Sequence, residues 1–160
     1  MNGVFELADE GATEALGRRA ARHLPADNAP LVLYLCGDLG AGKTTFARGM
    51  LREMGETGLV RSPSYGLLAE YPVAAGTVVH MDLYRLRVPA ELHALALADL
   101  LPGSCLWLIE WPERTEGIGL PQADATVWLD VSGGGRRARL EPFTGRGRSW
   151  QQDVCADSRL

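Results

Sequence analysis

A glycine-rich segment carries the strongest chemical signal in this sequence. Residues 37–44 fit the Walker A pattern, in which glycine, four variable residues and a second glycine precede lysine and threonine. The glycines allow consecutive backbone N–H groups to face inward at the positive end of a following helix, which creates an anion site. In this pattern Lys43 places its ammonium against the β- and γ-phosphates, and the Thr44 hydroxyl completes the shell of a Mg²⁺ ion. We call residues 37–45 the phosphate loop; they are Gly37, Asp38, Leu39, Gly40, Ala41, Gly42, Lys43, Thr44 and Thr45.

The lysine of this loop also bears on which nucleotide binds. Lys43 is the single lysine in a chain of 160 residues, and the other fifteen of the sixteen basic residues are arginines. The wide, planar guanidinium of arginine cannot occupy the point-charge position inside such a loop. GTPases of the Ras type read guanine through an Asn-Lys-x-Asp motif, and protein kinases need a lysine on a strand, so no lysine remains for either. The sequence therefore favours ATP over GTP.

Two acidic residues stand at the ends of apolar, strand-like segments. Asp82 ends Thr77–Asp82, and Glu110 follows Cys105–Ile109. In open α/β sheets, ligands bind beyond the carboxyl ends of the strands, and there the predicted strand Leu31–Cys36 runs into the phosphate loop. A carboxylate in this position can hold Mg²⁺ or orient the attacking water, as on a Walker B strand. The alternatives are a surface acid at Glu110 and a turn-forming or helix-capping aspartate at Asp82.

A hydroxyl-bearing loop, Ser62–Tyr65, lies between the helix after the phosphate loop and the next strand. P-loop hydrolases keep a segment here that senses the γ-phosphate, because a hydroxyl can bond the terminal phosphate and release it on hydrolysis. The alternative is an ordinary turn around Pro63. The sequence alone leaves both open.

Three other residues near these motifs also have two interpretations. His80 shares a strand face with Asp82, and we expect a packed, hydrogen-bonded histidine rather than a general base. Arg85 either stabilises phosphate charge or forms an ion pair with Asp82 or Glu110. Trp111 either stacks on the nucleotide or a partner, or is an aromatic residue at the edge of the core.

The elements that must position these residues alternate between strand and helix. The sequence predicts one α/β domain of the P-loop NTPase type over residues 1–145, with three layers, a mixed, largely parallel central sheet and a C-terminal β-hairpin. Residues 146–160 are expected to form a polar, flexible tail. The predicted strands are Val4–Leu7, Leu31–Cys36, Leu67–Tyr71, Thr77–Asp82, Cys105–Ile109, Ala125–Val131 and Arg137–Glu141. Helices are predicted from Asp9 to Leu24, from the phosphate loop to Met54, and over Glu91–Leu101.

Composition excludes several classes of protein. No apolar run approaches the roughly 20 residues of a membrane helix, so no membrane partner is expected. No basic residue precedes Arg18, which argues against a signal peptide and makes the cytoplasm the expected location. The net charge of −4 and a pI near 5.4 argue against binding nucleic acid through bulk electrostatics.

Four segments together resemble one family. They are Gly37–Phe46, Ser62–Tyr65, His80–Leu86 and Ile109–Pro112, and their order and spacing are similar to those of TsaE, a small bacterial P-loop ATPase of tRNA threonylcarbamoyladenosine biosynthesis. The resemblance extends from about Val4 to Glu141. Such a combination is far more specific than the Walker A motif alone.

The resemblance implies a function and a set of site residues. TsaE proteins bind ATP and Mg²⁺, dock on the TsaB–TsaD heterodimer and hydrolyse ATP to support modification of the adenosine next to the tRNA anticodon. The resemblance also implies that the phosphate loop holds phosphates and Mg²⁺ and that Glu110 is the second residue of the magnesium site. Lys43, Asp82 and Ser64 would belong to the catalytic shell, although the family usually has threonine in place of Ser64. By the same resemblance, the nucleotide is approached by the segment Glu10–Thr13 and by Arg136.

Two other functions remain open at this point. A small-molecule kinase would usually carry an arginine-rich lid, and no clear lid insertion occurs between Glu91 and Glu116. A nucleotide-gated binding module would use ATP only to set its affinity for a partner. The acidic net charge suits a protein whose tRNA contacts are made largely by its partners. The basic segment 133–148 could touch tRNA or an acidic partner surface, but a solvated hairpin edge, where charge prevents unwanted strand pairing, is the favoured interpretation.

Overall fold

The computed structural model describes residues 2–159, in which the strand bounds lie within two residues of those predicted. The strands are β1 (Val4–Leu7), β2 (Leu31–Cys36), β3 (Leu68–Val73), β4 (Gly76–Asp82), β5 (Ser104–Glu110), β6 (Ala125–Ser132) and β7 (Gly135–Pro142). The α-helices are α1 (Glu10–Ala21), α2 (Lys43–Glu53), α3 (Leu97–Leu100) and α4 (Gly145–Ala156), and the 3₁₀ segments are Pro89–Leu95 and Pro112–Thr115.

All seven strands form one sheet in the order β1-β7-β6-β2-β5-β4-β3. β2 pairs in parallel with β5 and with β6, and β4 pairs in parallel with β5. β7 is antiparallel to both β6 and β1, so β1 runs in the same direction as β6. Only β3 and β7 run against the other five strands. The predicted α/β fold, with its mixed, largely parallel sheet and its C-terminal hairpin, is confirmed.

Helices lie on both faces of this sheet. α1, α2 and α4 pack against one face, around buried side chains such as Leu33, Phe46 and Trp150. The segment Pro89–Leu95 and α3 cover part of the other face, around Trp107. The central strands are thus buried on both sides, which is why they lack polar alternation. Within residues 2–159, no helix combines the length and the apolarity needed to cross a membrane.

The strand register brings the two acidic strand ends together. Asp82 on β4 is opposite Glu110 on β5, and Glu110 is opposite Leu35 on β2. β2 ends one residue later, at Cys36, and the phosphate loop follows directly. Because the three strands are parallel, both carboxylates and the phosphate loop meet at one edge of the sheet.

The predicted helix over Glu91–Leu101 is wrong in form. The chain instead has a 3₁₀ segment, Pro89–Leu95, and a single helical turn, α3. Ala96 separates them with a φ of 47°, a left-handed conformation that ends one segment before the next begins. Helical composition indicated helix here, but it could not reveal the left-handed residue that divides the segment.

The prediction of a flexible tail over 146–160 is also corrected, because α4 occupies most of this segment. Thr144 caps the helix by accepting a hydrogen bond from the Gly147 N–H at 3.0 Å. At the other end, the buried Arg19 donates to the carbonyls of Val154 and Cys155 at 2.7 and 3.0 Å. Trp150 packs into the core, and its indole N–H donates to the carbonyl of Ala20 at 3.0 Å. The segment looks polar in sequence because only a few of its residues, such as Trp150, pack against the core.

We predict that Trp150→Ala lowers the free energy of unfolding by about 3–5 kcal/mol, the usual cost of removing a buried aromatic side chain. The indole is 1% exposed, so its loss leaves a cavity between α4 and α1. Chemical denaturation provides the measurement, with Gln152→Ala on the exposed side of α4 as the control, expected within about 0.5 kcal/mol of the parent. Equal stability of the two variants would mean that α4 does not contribute to the core.

Candidate functional site

The phosphate loop contains three glycines with positive φ, and the first and last of them set its path. Gly37 leaves β2 with a φ of 149°, and a side chain there would collide with the backbone carbonyl of Leu129. Gly42 has a φ of 108° and directly precedes α2, which begins at Lys43. Only glycine adopts such conformations at little cost. The resulting turn leaves the unpaired N–H groups of the first turn of α2 facing the loop, where they can bind an anion.

Lys43 reaches back across the loop. Its ammonium donates to the carbonyls of Gly37 and Asp38 at 2.5 and 3.0 Å and lies 4.2 Å from the centre of the Trp111 ring. Burial lowers the pKa of the ammonium, and the carboxylate of Glu110 opposes this shift. The hydrogen bonds to the two carbonyls hold the ammonium inside the loop, where the motif predicts the phosphates.

Glu110 and Thr44 form the second part of the site. The carboxylate is 2% exposed, and both of its oxygens lie 3.0 Å from the Thr44 hydroxyl, which must donate because an ionised carboxylate only accepts. His80 contacts the same carboxylate, with 2.6 Å between Nε2 and Oε2. A hydroxyl and a carboxylate are the hard oxygen ligands that Mg²⁺ prefers, so the donor set fits the predicted magnesium site.

Asp82 is held by hydrogen bonds on both of its carboxylate oxygens. The Ser62 hydroxyl donates to Oδ2, and the Tyr84 N–H donates to Oδ1 at 2.9 Å. Ser64, the residue expected in the catalytic shell, lies two positions farther along the same loop and does not line the cavity described below. The structure therefore places Ser62, and not Ser64, against Asp82. The sequence signal for Ser62 was its presence in the same hydroxyl-bearing loop.

Two adjoining cavities lie over the phosphate loop. The first, of about 230 Å³, includes Lys43, Thr44, Ser62, Asp82 and Glu110 in its lining. The second, of about 380 Å³, is continuous with the loop through shared lining residues. Its outer wall is made of Ala8, Asp9, Glu10, Thr13, Gly134, Gly135 and Arg136. The residues of the phosphate loop and the more distant Glu10 and Arg136 are thus brought to one continuous surface.

Aromatic side chains contact several cations near this edge, among them Lys43 and Arg85. Trp111 has a φ of 60°, and its ring lies 5.0 Å from that of Tyr84 in addition to its contact with Lys43. Arg85 stacks on the ring of Tyr65 at 4.2 Å and donates to its hydroxyl at 3.3 Å. The ion pair of Arg85 with Asp82 or Glu110, one of its two expected roles, is not formed among residues 2–159.

Comparison with known proteins identifies the family of the chain that carries this site. The profile of the family described as "Threonylcarbamoyl adenosine biosynthesis protein TsaE" matches residues 7–139, a range that includes the phosphate loop and both carboxylates. The chain belongs to the TsaE family. The resemblance found in the four sequence motifs is thereby confirmed, and the family name connects the chain to threonylcarbamoyl adenosine biosynthesis.

Individual relatives of this TsaE-family chain agree with the assignment. The tRNA threonylcarbamoyladenosine biosynthesis protein TsaE of Haemophilus influenzae is 44% identical over 119 residues, which cover 74% of this chain and 75% of that protein. The protein of the same name from Nostoc is 35% identical over 150 residues, covering 89% and 87%. The crystal structure of Bacillus subtilis YdiB matches with a TM-score of 0.76 at 25% identity, over 95% of this chain and 93% of that chain.

Proposed function

We propose that this TsaE-family chain is a Mg²⁺-dependent ATPase that acts with the TsaB–TsaD heterodimer in forming threonylcarbamoyladenosine next to the tRNA anticodon. The observation that carries the proposal is the convergence of three groups at one sheet edge. These are the Lys43 ammonium inside the phosphate loop, the Thr44–Glu110 pair, and the carboxylate of Asp82. Together they supply the cation, magnesium ligands and acidic group that phosphoryl transfer to water requires.

In the proposed ATP complex, the triphosphate lies along the phosphate loop. The N–H groups at the start of α2 and the Lys43 ammonium bind its phosphate oxygens, and Thr45 lines both cavities beside them. The nucleoside extends into the second cavity, toward Glu10 and Arg136. Arg136 already donates to the carbonyl of Gly40 at 3.1 Å, so its guanidinium is positioned beside the loop.

Thr44 and Glu110 would hold the magnesium ion. The chemistry that the ion would supply when held there is neutralisation of charge on the phosphate oxygens. Glu110 is suited to this role because its carboxylate is buried and kept in place by hydrogen bonds from Thr44 and His80.

Asp82 is the proposed residue that orients the attacking water. Its two oxygens are restrained by Ser62 and by the Tyr84 N–H, and each oxygen has a second lone pair to accept a hydrogen bond from water. The carboxylate also lines the first cavity, beside Lys43 and Glu110. Holding the water in line with the phosphate lowers the entropic part of the barrier.

We predict that Ser62→Ala lowers kcat for ATP hydrolysis about tenfold or more, because a hydrogen bond to a charged group contributes about 1.5–3 kcal/mol. The matched variant is Ser64→Ala in the same loop, which is expected to retain kcat within about threefold, since among residues 2–159 the side-chain hydroxyl that bonds to Asp82 is that of Ser62 and not that of Ser64. Steady-state phosphate release measures both variants. A larger loss from Ser64→Ala than from Ser62→Ala would support the place of Ser64 in the catalytic shell that the family resemblance implies, and would contradict the role proposed for Ser62.

The charge distribution supports indirect contact with tRNA through the partner proteins. Several arginines of the basic segment 133–148 already form ion pairs within the chain: Arg137 with Glu6, Arg139 with Glu141, and Arg146 with Asp27 and Asp124. Such pairing leaves less free positive charge for phosphate groups of RNA. We therefore assign tRNA binding mainly to TsaB–TsaD.

Reconstitution tests the proposed function. Multi-turnover threonylcarbamoylation of tRNA by TsaB–TsaD, with its threonylcarbamoyl donor, is measured with this chain present or omitted, together with phosphate release. We expect this chain and hydrolysable ATP to be needed for more than one round of modification. Equal modification with a non-hydrolysable ATP analogue, and no stimulation of phosphate release by TsaB–TsaD, would favour a nucleotide-gated binding module instead.

A further inference from the structure

His80 is a fully buried histidine beneath the magnesium-binding edge of the sheet. It lies on β4 with a relative exposure of 0%, between Val78 and Asp82 on the same strand face. Its register partner on β5 is Leu108, which is equally buried. A polar side chain in this position loses its hydration, so its presence needs an explanation from the hydrogen bonds that it makes.

The imidazole makes only one such hydrogen bond within residues 2–159. Nε2 lies 2.6 Å from Oε2 of Glu110, whereas Nδ1 is buried and has no partner. Because a carboxylate only accepts, Nε2 donates the hydrogen, and Nδ1 is left without a partner. Buried polar atoms are usually paired, so stability alone does not favour histidine over an apolar residue of similar size. What histidine provides here, and an apolar side chain would not, is the hydrogen bond to Glu110.

This bond restrains the orientation of the Glu110 carboxylate. Thr44 donates from the solvent side of the site and is equidistant from the two oxygens, so it does not select one of them. His80 contacts Oε2 alone and comes from a neighbouring strand, whose backbone is fixed by the sheet. The imidazole therefore determines which oxygen faces the strand and which remains directed toward the cavity.

We infer that His80 is a positioning residue for magnesium: it holds Glu110 in the orientation that presents a carboxylate oxygen beside the Thr44 hydroxyl. His80 itself touches neither nucleotide nor metal in this arrangement, and the inference rests on the proposed function. Residues that orient a metal ligand in this way typically change metal affinity 10–100-fold when they are replaced.

The first test measures binding rather than turnover. A fluorescent ADP analogue is titrated against the full chain, without Mg²⁺ and over a series of Mg²⁺ concentrations. We expect His80→Leu to raise, by about 10–100-fold, the Mg²⁺ concentration at which the change in affinity for the ADP analogue is half-maximal. Affinity for the nucleotide without Mg²⁺ should stay unchanged, because Lys43 and the loop amides are not altered. The matched control is His93→Leu, at an exposed histidine, which should behave as the parent.

Two amide variants separate positioning from packing. In His80→Gln, the side-chain N–H reaches about as far as Nε2 and can donate to Glu110, so we expect it to restore most of the Mg²⁺ dependence. In His80→Asn the amide ends near the Nδ1 position and cannot make this bond. Both variants place a polar amide at the same buried position, so their comparison remains decisive if His80→Leu does not fold. Equal Mg²⁺ dependence of the two amide variants would overturn the inference.

A double-mutant cycle with Glu110→Gln completes the test. If His80 acts through Glu110, then His80→Leu should have little further effect on Mg²⁺ dependence once Glu110 has been neutralised. A full additive effect in that background would overturn the positioning role. Failure of the proposed function has different signatures. Without a magnesium site, the parent chain itself would bind the nucleotide with no Mg²⁺ dependence. Without turnover, phosphate release would fail while the Mg²⁺ dependence of nucleotide binding, and its change in His80→Leu, would remain.

Discussion

Lys43→Ala should abolish ATP hydrolysis, with a loss of at least 10²–10³-fold in kcat, of the size found when one electrostatic donor is removed from a preorganised site. The ammonium lies within the loop and is the only lysine charge available to the phosphates. Nucleotide affinity should fall together with turnover, since the same charge binds the phosphates before the reaction. Fluorescent-nucleotide titration and phosphate release measure the two effects separately.

Two matched variants make this prediction specific. Lys43→Arg keeps the charge, yet it should be nearly as inactive as the alanine variant because the guanidinium does not fit the same place. Arg52→Ala removes a cation from the far end of α2, where Arg52 donates to the carbonyls of Glu56 and Gly58, and should retain activity. Undiminished turnover in Lys43→Ala, with a normal thermal unfolding profile, would refute the phosphate-loop assignment.

Glu110→Gln is expected to have the second largest effect. The amide keeps the size of the side chain and an oxygen that accepts from Thr44 and His80, but it removes the negative charge that a magnesium ion requires. We expect Mg²⁺-dependent hydrolysis to fall at least 10²-fold, because the loss of metal-ion stabilisation costs several kcal/mol in the transition state. Phosphate release across a Mg²⁺ series is the measurement.

Stability measurements distinguish this catalytic loss from a structural one. Removing the charge also removes the cost of burying it, so the free energy of unfolding should change by only about 1 kcal/mol. Glu116→Gln, at an exposed acid beyond the 3₁₀ segment, serves as the control for charge alone. A parallel loss of hydrolysis and stability in Glu110→Gln would assign Glu110 to the fold rather than to the reaction.

The features that were predictable from the sequence are contiguous or strongly patterned. The phosphate loop could be recognised because its residues follow one another, and each backbone conformation needed there selects a particular residue type, as Gly37 and Gly42 illustrate. The central strands could be recognised because burial on both faces removes polar alternation from Leu31–Cys36. The acids at strand ends could then be placed at one edge, since parallel strands end together.

The features that the sequence did not reveal depend on contacts between distant segments. α4 has few apolar residues, and it is held by Trp150 in the core and by Arg19 from another helix. Within the loop Ser62–Tyr65, both serines have the same side chain, so only the path of the loop backbone decides which hydroxyl bonds to Asp82. A local pattern contains no information of this kind.

By itself, the sequence determined the phosphate loop, the strands that support it, and the family to which the chain belongs, because local spacing and residue type are sufficient for these. The tertiary structure alone decided that α4 joins the core, that Ser62 restrains Asp82, and that the buried imidazole of His80 contacts Glu110 through Nε2 while its Nδ1 has no partner. The physical reason is register. Residues thirty positions apart come within hydrogen-bonding distance only when β4 and β5 pair with one particular alignment, and a shift of one residue would turn His80 to the opposite face.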